Sequence, residues 1–387
     1  MKAIVKTKNS KAVAIAPSGT SVSKYEAIAF PRDIDLLIKR AEKTLIPKLI
    51  GVEVTDQEKI DSIIRKVDDT NNFSAIGGNI AIAISAACLK AAAKSKKKEL
   101  YKYLAKESNP SIPLMINKMI GGGKHAENST EIQEFLAIPL TSSIKKAFKI
   151  SKELHARIGK KIGSKKLDYE GGWVAEIPNE IALKILNEEA EKLSRKRKIE
   201  IAIGVDFAAS SFYNGKKYVY KDKELSTMQQ RRYVAELIEE YDLYYIEDPF
   251  HEDDFKSFKW LAEKFPDRLI CGDDLFATNE KRFEKGIKLK AANSIIIKPN
   301  QAGTITQTLN VVKKAFENQY TPIISHRSGE TMDDLISDLA VGLNIPYMKI
   351  GIIGKERVIK IKRLMKIQKV IKHEKKKRER RIFKARS

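Results

Sequence analysis

The chain has 387 residues, 42% of them apolar, and a formal charge of +23. That apolar share supports a sizeable core and excludes an intrinsically disordered chain; the length predicts two or three domains, or one barrel with a smaller domain. Two cysteines, Cys88 and Cys271, cannot build a disulfide framework, and no C-x-x-C pair exists for zinc. No apolar run approaches the ~20 residues that span a bilayer, and the first residues lack a secretory apolar core. The expected setting is therefore the cytoplasm, without membrane contact.

In chain order, residues 2–7 and 11–16 predict a hairpin of two short strands around Asn9-Ser10. A turn-rich loop, Pro17-Ser18-Gly19-Thr20-Ser21, follows. Residues 33–49 and 56–67 carry apolar residues at helical spacing, and the small apolar run 81–93 predicts a buried helix. Residues 1–108 thus read as a small α+β domain, closed by Asn109-Pro110-Ser111-Ile112-Pro113.

Beyond Pro113, short apolar runs alternate with amphipathic stretches, and a chargeable residue marks the run nearly every time. These are Glu134, Glu170, Asp206, Glu247, Asp273, Lys298, His326 and Lys349, spaced by 23 to 41 residues, each about one βα unit. A (β/α) barrel requires this pattern, because several strands each deliver one residue to a site at their carboxyl ends. A doubly wound sheet, which gathers its site at one switch point, is the competing fold. Residues 109–371 are assigned to the barrel and 372–387 to a basic, disordered tail.

Asp206, Glu247 and Asp273 close three successive strands, so a barrel makes them neighbours. Three buried carboxylates repel unless a cation compensates them. All-oxygen ligation suits Mg²⁺ or Mn²⁺; salt bridges to Lys or Arg are the other way to satisfy them. Lys298 ends a triple-isoleucine strand, where burial and a nearby metal would lower its pKa and make it a candidate general base. Lys349 ends a later strand. His326-Arg327-Ser328-Gly329 puts three donors on one loop, as anion binding needs. Gly121-Gly122-Gly123-Lys124-His125-Ala126 lacks the Walker spacing and is read as a flexible βα loop carrying His125 into the site. His155, His251 and His373 receive no role.

The ordered motifs resemble those of the enolase (phosphopyruvate hydratase) family, in an archaeal-type or divergent form. They are Pro17-Ser18-Gly19-Thr20-Ser21, Gly122-Gly123-Lys124-His125-Ala126-Glu127-Asn128 with Gln133-Glu134-Phe135, Glu170-Gly171-Gly172-Trp173, Asp206-Phe207-Ala208-Ala209-Ser210, Ile246-Glu247-Asp248-Pro249-Phe250, Gly272-Asp273-Asp274-Leu275, Ile297-Lys298-Pro299-Asn300-Gln301, Ser325-His326-Arg327-Ser328-Gly329-Glu330-Thr331 and Lys349. The resemblance runs from the first residues to about Arg363. A lysine base with Mg²⁺ is the established pattern of enolase-superfamily sites, so that pairing is taken from them. The resemblance implies an α+β domain followed by an enolase-type (β/α)8 TIM-like barrel, and Mg²⁺-dependent, reversible dehydration of 2-phosphoglycerate to phosphoenolpyruvate in glycolysis and gluconeogenesis. Asp206, Glu247 and Asp273 would hold the first of two Mg²⁺ ions, and Ser21 with the substrate phosphate the second. Lys298 would take the C2 proton, and Glu170, helped by Glu134, would protonate the leaving C3 hydroxyl. His125, His326, Arg327, Ser328 and Lys349 would bind substrate.

The sequence also departs from the family. Its first motif, Asp-Ser-Arg-Gly-Asn-Pro, is not found; that segment supplies a strand and dimer contacts, so an open sheet edge and an altered homodimer are expected. The acidic residue before the general acid is Tyr169, which should change the pKa of Glu170. Thr-Gly after the loop serine is Val22-Ser23, expected to stiffen loop closure, and the threonine after the second substrate lysine is Ile350. Residues 355–387 hold 16 Lys/Arg against 3 Asp/Glu. That tail raises the alternative of an enolase-fold protein that binds nucleic acid or an acidic partner through its basic surface. A superfamily enzyme acting on another acid is the third reading.

Overall fold

A computed structural model of the chain describes residues 1–20, 22–106 and 108–384, with 376–384 as backbone alone. The chain opens on the expected antiparallel hairpin, β1 (Lys2–Lys6) and β2 (Lys11–Ile15), with Lys2 opposite Ile15. Among the described residues, β1 pairs with β2 only. Helices α1 (Ile34–Thr44) and α2 (Ile46–Leu49) replace the single helix expected over 33–49. They part at Leu45 because Pro47 has no N–H to return to the preceding turn. Asp33 caps α1 by accepting from the Asp35 and Leu36 amides. Then come α3 (Gln57–Asp68), α4 (Gly78–Ser95) and α5 (Leu100–Ala105). Helix α4 is apolar on all sides and buried nearly throughout, as its composition predicts.

The second part runs β3 (Leu114–Gly121), β4 (Glu134–Pro139), α6 (Ile144–Ile162), β5 (Trp173–Val174), α7 (Asn179–Arg197), β6 (Ile201–Asp206), the small hairpin β7 (Tyr218–Val219) and β8 (Glu224–Leu225), α8 (Thr227–Tyr241) and β9 (Tyr245–Glu247). It continues with α9 (Phe255–Lys264), β10 (Leu269–Gly272), α10 (Glu280–Leu289), β11 (Ser294–Ile297), α11 (Pro299–Ala302), α12 (Ile305–Glu317), β12 (Thr321–Ser325), α13 (Leu335–Gly342), β13 (Tyr347–Lys349) and α14 (Lys355–Lys384). Strands β3-β4-β6-β9-β10-β11-β12-β13 close into an eight-stranded barrel, with β13 pairing back onto β3. The barrel is therefore the fold, and the doubly wound sheet is not.

Two details correct the sequence reading. Strand β4 is antiparallel to both β3 and β6, so the Gly121–Ala126 segment joins two strands instead of a strand and a helix, and contains a 3₁₀ turn at Gly123–His125. Because β4 runs backwards, its first residue, Glu134, lies at the mouth where the parallel strands end. Glu170, read as marking an apolar run, follows no strand: Leu167 makes one isolated bridge to Trp173, and Glu170 stands on the loop before β5.

Ile116, Leu136, Ile138, Tyr245, Leu269, Cys271, Ile296 and Ile323 fill the barrel interior, each buried aliphatic side chain contributing about 1.5–3 kcal/mol. This packed floor lies beneath the mouth where the parallel strands end, the end at which barrel sites form. Helix α14 continues to Lys384 through residues expected to form a disordered tail. The segment contains no Gly or Pro and is rich in Lys, Arg and Glu, which favour helix. Among the described residues no helix is long and apolar enough to cross a membrane.

Candidate active site

The strand ends deliver their charges to one place. Asp206 ends β6, Glu247 ends β9 and Lys349 ends β13, while Asp273, Lys298 and His326 each follow β10, β11 and β12 by one residue. One cavity is lined by Asp206, Asp273, Lys298, Lys349, His125, Glu134, Glu170, His326, Arg327 and Ser328. Glu247 is fully buried beneath it. Ser21 lies outside the described residues.

The three expected metal-binding carboxylates are bridged by lysines. Lys349 Nζ lies 2.9 Å from Asp206 Oδ2, 2.5 Å from Glu247 Oε2 and 2.8 Å from Glu134 Oε2, and Lys298 pairs with Asp273. Burial and mutual repulsion push Asp206 and Glu247 above the ordinary carboxylate range, with Lys349 opposing. Lys349 itself is held well above its usual value: burial lowers it, and Asp206, Glu134 and Glu247 outweigh that. Lys298 was expected to be depressed. Here burial does act downward, but the Asp273 carboxylate overrides it and the pKa is raised.

The donor set fits a hard divalent cation. Glu247 Oε1 is buried and accepts no hydrogen bond among the described residues, and the surrounding donors are carboxylate oxygens, which Mg²⁺ prefers. Asp248, Asp273 and Asp274 also bring carboxylate oxygens within 4.8 Å of one another. Asp248 is already committed, because it accepts from the backbone amides of Asp273, Asp274 and Leu275. It thereby fixes the loop that presents Asp273.

On the opposite side, Glu170 is 5% exposed. Its Oε2 lies 3.1 Å from Lys118 Nζ, 3.7 Å from His125 Nδ1 and 3.9 Å from His326 Nε2. Burial would raise its pKa, but Lys118, His125 and a hydrogen bond with Glu134 hold it below the usual range. The loop is fixed by Asp168, whose Oδ1 accepts from the amides of Glu170 and Gly172, both at 2.9 Å. His155 bonds the Gly171 carbonyl through Nε2 at 2.8 Å and stacks on Trp173, so it braces the site without entering it.

The anion loop closes onto the first loop. Ser328 Oγ accepts from the Thr20 amide at 2.7 Å, and Ser18 and Gly329 exchange backbone hydrogen bonds. Arg327 donates to Glu26 and Asn300. Ser23, where a glycine was expected, donates to Glu252 Oε2 at 2.9 Å. Tyr169 points outward at 66% exposure and Ile350 is fully buried in the core.

Sequence reasoning missed Lys118, Asp168 and Asp248. Lys118 sits inside the apolar run Met115-Ile-Asn-Lys-Met-Ile120, where a strand buried on both faces carries no alternation. The Asp248-Pro249 pair was the available signal for a tight, hydrogen-bonded corner.

Residues 1–104 match the enolase N-terminal domain family model, and residues 109–385 match the enolase C-terminal TIM barrel domain. The chain is 42% identical over 372 residues to an enolase of Methanothermobacter thermautotrophicus, covering 92% of this chain and 89% of the relative. It is 43% identical over 382 residues to an enolase of Methanosphaera stadtmanae (95% and 92%) and 40% identical over 366 residues to one of Archaeoglobus fulgidus (93% and 90%). With both family domains matched in order and a barrel mouth of this composition, the chain belongs to the enolase (phosphopyruvate hydratase) family.

Proposed function

We propose that the chain catalyses the reversible, Mg²⁺-dependent dehydration of 2-phosphoglycerate to phosphoenolpyruvate, serving glycolysis and gluconeogenesis in the cytoplasm. The observation that carries this reading is the division of the cavity. Lysines and carboxylates of the metal side stand at the carboxyl ends of β6, β9, β10, β11 and β13, and a buried Glu170–His125 group faces them from the loop before β5 and the 3₁₀ turn.

In this reading Lys298, released from Asp273, takes the proton from C2 as a neutral amine. Glu170, once protonated against the pull of Lys118 and with Glu134 beside it, delivers a proton to the C3 hydroxyl, which departs as water. Arg327, Ser328 and His326 hold the phosphate end through charge and hydrogen bonds, and Lys349 and His125 orient the rest of the substrate. Asp206, Glu247 and Asp273 would hold one Mg²⁺, which when bound supplies positive charge to the substrate carboxylate as C2 loses its proton. Ser21 with the substrate phosphate would hold a second ion.

The test is phosphoenolpyruvate formation from 2-phosphoglycerate, followed by ultraviolet absorbance. Turnover with Mg²⁺, lost on adding EDTA and lost in Lys298→Ala, is the expected result. Folded protein without turnover, or a Lys298→Ala variant as active as wild type, would overturn the reading.

A further inference from the structure

Among the described residues, Lys118 is the one cation buried on the acid side of the cavity that has no part in the proposed reaction. Period-two alternation on β3 places it on the barrel-interior face, one layer above Ile116. Its side chain is 2% exposed. It lies 2.6 Å from Asp168 Oδ2, 3.1 Å from Glu170 Oε2, 3.3 Å from Glu134 Oε1 and 2.8 Å from His125 Nδ1. The channel for it is built by glycines. A Cβ on Gly121 would meet Asp168 Oδ2 at 1.8 Å and Lys118 Cε at 3.0 Å, and one on Gly172 would meet Lys118 Cε at 3.0 Å.

We propose that Lys118 is a positioning residue for the protonation half of the reaction: one buried ammonium gathers the Glu170 acid, its helper Glu134 and His125 into a single geometry. Three consequences follow from the contacts. Glu134 and Glu170 are held side by side although both are carboxylates, because Lys118 lies between them. His125 accepts at Nδ1, so its neutral ring carries the proton on Nε2, available to the cavity it lines. The loop of Glu170 is pinned at both ends of Asp168, one oxygen on Lys118 and the other on the Glu170 and Gly172 amides. Asp168 thus stands where Tyr169 leaves no carboxylate, but its charge is turned onto Lys118.

The groups facing Glu170 are Lys118 from β3, Glu134 from β4, His125 from the 3₁₀ turn, Asp168 on its own loop and His326 after β12, with Lys349 of β13 sharing Glu134. Burial acts to raise the Glu170 carboxyl, and Lys118 is the largest influence holding it down; Asp168 acts the other way. Neutralising Lys118 and neutralising Asp168 therefore move Glu170 in opposite directions, which a purely structural ion pair would not do.

The inference rests on the dehydration reading, so wild type is measured first for dehydration and for exchange of the C2 hydrogen with D₂O. Absence of both would remove the reading itself. With wild type active, Lys118→Met should lower kcat for dehydration at least 30-fold with KM within threefold and C2 exchange within threefold, since Lys298 still works. The basic limb of its kcat–pH profile should move up by a pH unit or more. Asp168→Asn, which keeps the amide-accepting oxygen, should move that limb down. Exchange and dehydration falling together, or limbs that stay in place, would overturn the proposal. If Lys118→Met does not fold by circular dichroism, the Asp168→Asn limb decides: a downward shift supports the proposal and an unmoved limb overturns it.

Discussion

Glu134 and Lys349 meet 2.8 Å apart at the barrel mouth although one opens its strand and the other ends its own. The contact exists because β4 is antiparallel in an otherwise parallel barrel. It joins the metal side of the cavity to the acid side through one ammonium.

Removing that ammonium should be costly. Lys349 is 5% exposed and compensates Glu134, Asp206 and Glu247 together. Breaking a buried ion pair from one side typically costs about 3–5 kcal/mol. Lys349→Met should therefore melt well below wild type in EDTA, and Mg²⁺ should narrow the gap by replacing the lost positive charge. Thermal unfolding with and without Mg²⁺ measures both. A gap unaffected by Mg²⁺ would count against Asp206 and Glu247 as its ligands.

The first loop is latched at Asp253, and the latch should be acid-labile. Asp253 accepts from Lys24 and from the Tyr25 hydroxyl, both at 2.8 Å, and from Arg282, which lies over the Tyr25 ring. Burial opposes ionisation, but the Lys24, Tyr25 and Arg282 contacts hold the carboxyl down to about 2. A folded pKa below the unfolded value of about 3.9 gives stability that is present above that value and lost as pH falls toward about 2. Wild type should melt above Asp253→Asn at pH 5, with the difference closing between about pH 4 and pH 2. A difference independent of pH would show that the carboxylate charge is not what holds the loop.

Much of the site was legible because parallel strands put their last residues at one mouth. Asp206, Asp273, Lys298, His326 and Lys349 each close an apolar run in the sequence and each reach the cavity, with Glu247 buried directly beneath it. Glu134 was found for an incomplete reason: it opens its run, and only the reversed direction of β4 brings it to the same end. Glu170 was assigned to a strand that does not form, since its position depends on Asp168 and His155, whose hydrogen bonds to the loop backbone leave no periodic trace. Lys118 was invisible because its strand is buried on both faces, and a charge inside such a run looks like an interruption until its three carboxylates are placed around it.

The Asp273 loop depends on Phe276. Its ring is fully buried and edge-on to Phe283 at 5.2 Å and Tyr320 at 6.3 Å. A Cβ on Gly286 would approach it to 2.3 Å and one on Gly272 to 2.7 Å, so both glycines are needed for the ring to seat. Phe276 and Ala277 also return amide hydrogen bonds to the Asp273 carbonyl. Phe276→Ala should cost about 3–5 kcal/mol, and with Asp273 loosened it should weaken Mg²⁺ binding at least tenfold by calorimetry. Destabilisation with unchanged Mg²⁺ affinity would show that Asp273 is held by Asp248 alone.

Gly171, immediately after the proposed acid, separates two costs that usually arrive together. It has φ +86, and a Cβ there would lie 2.4 Å from the Ile353 Cβ, an atom fixed directly to backbone. Gly163 also has a positive φ, +72, but nothing lies within 4 Å of its Cβ position. Gly163→Ala should therefore show only the left-handed backbone penalty, about 1–2 kcal/mol, with kcat unchanged. Gly171→Ala carries the same penalty plus a collision that the loop can relieve only by moving. That motion would drag the Gly171 carbonyl off His155 and the Glu170 carboxylate off Lys118. Gly171→Ala should lower kcat more than tenfold with KM within threefold, while unfolding measurements place its stability below that of Gly163→Ala. If the two variants retained equal activity, the position of Glu170 would not depend on the loop packing that Gly171 permits.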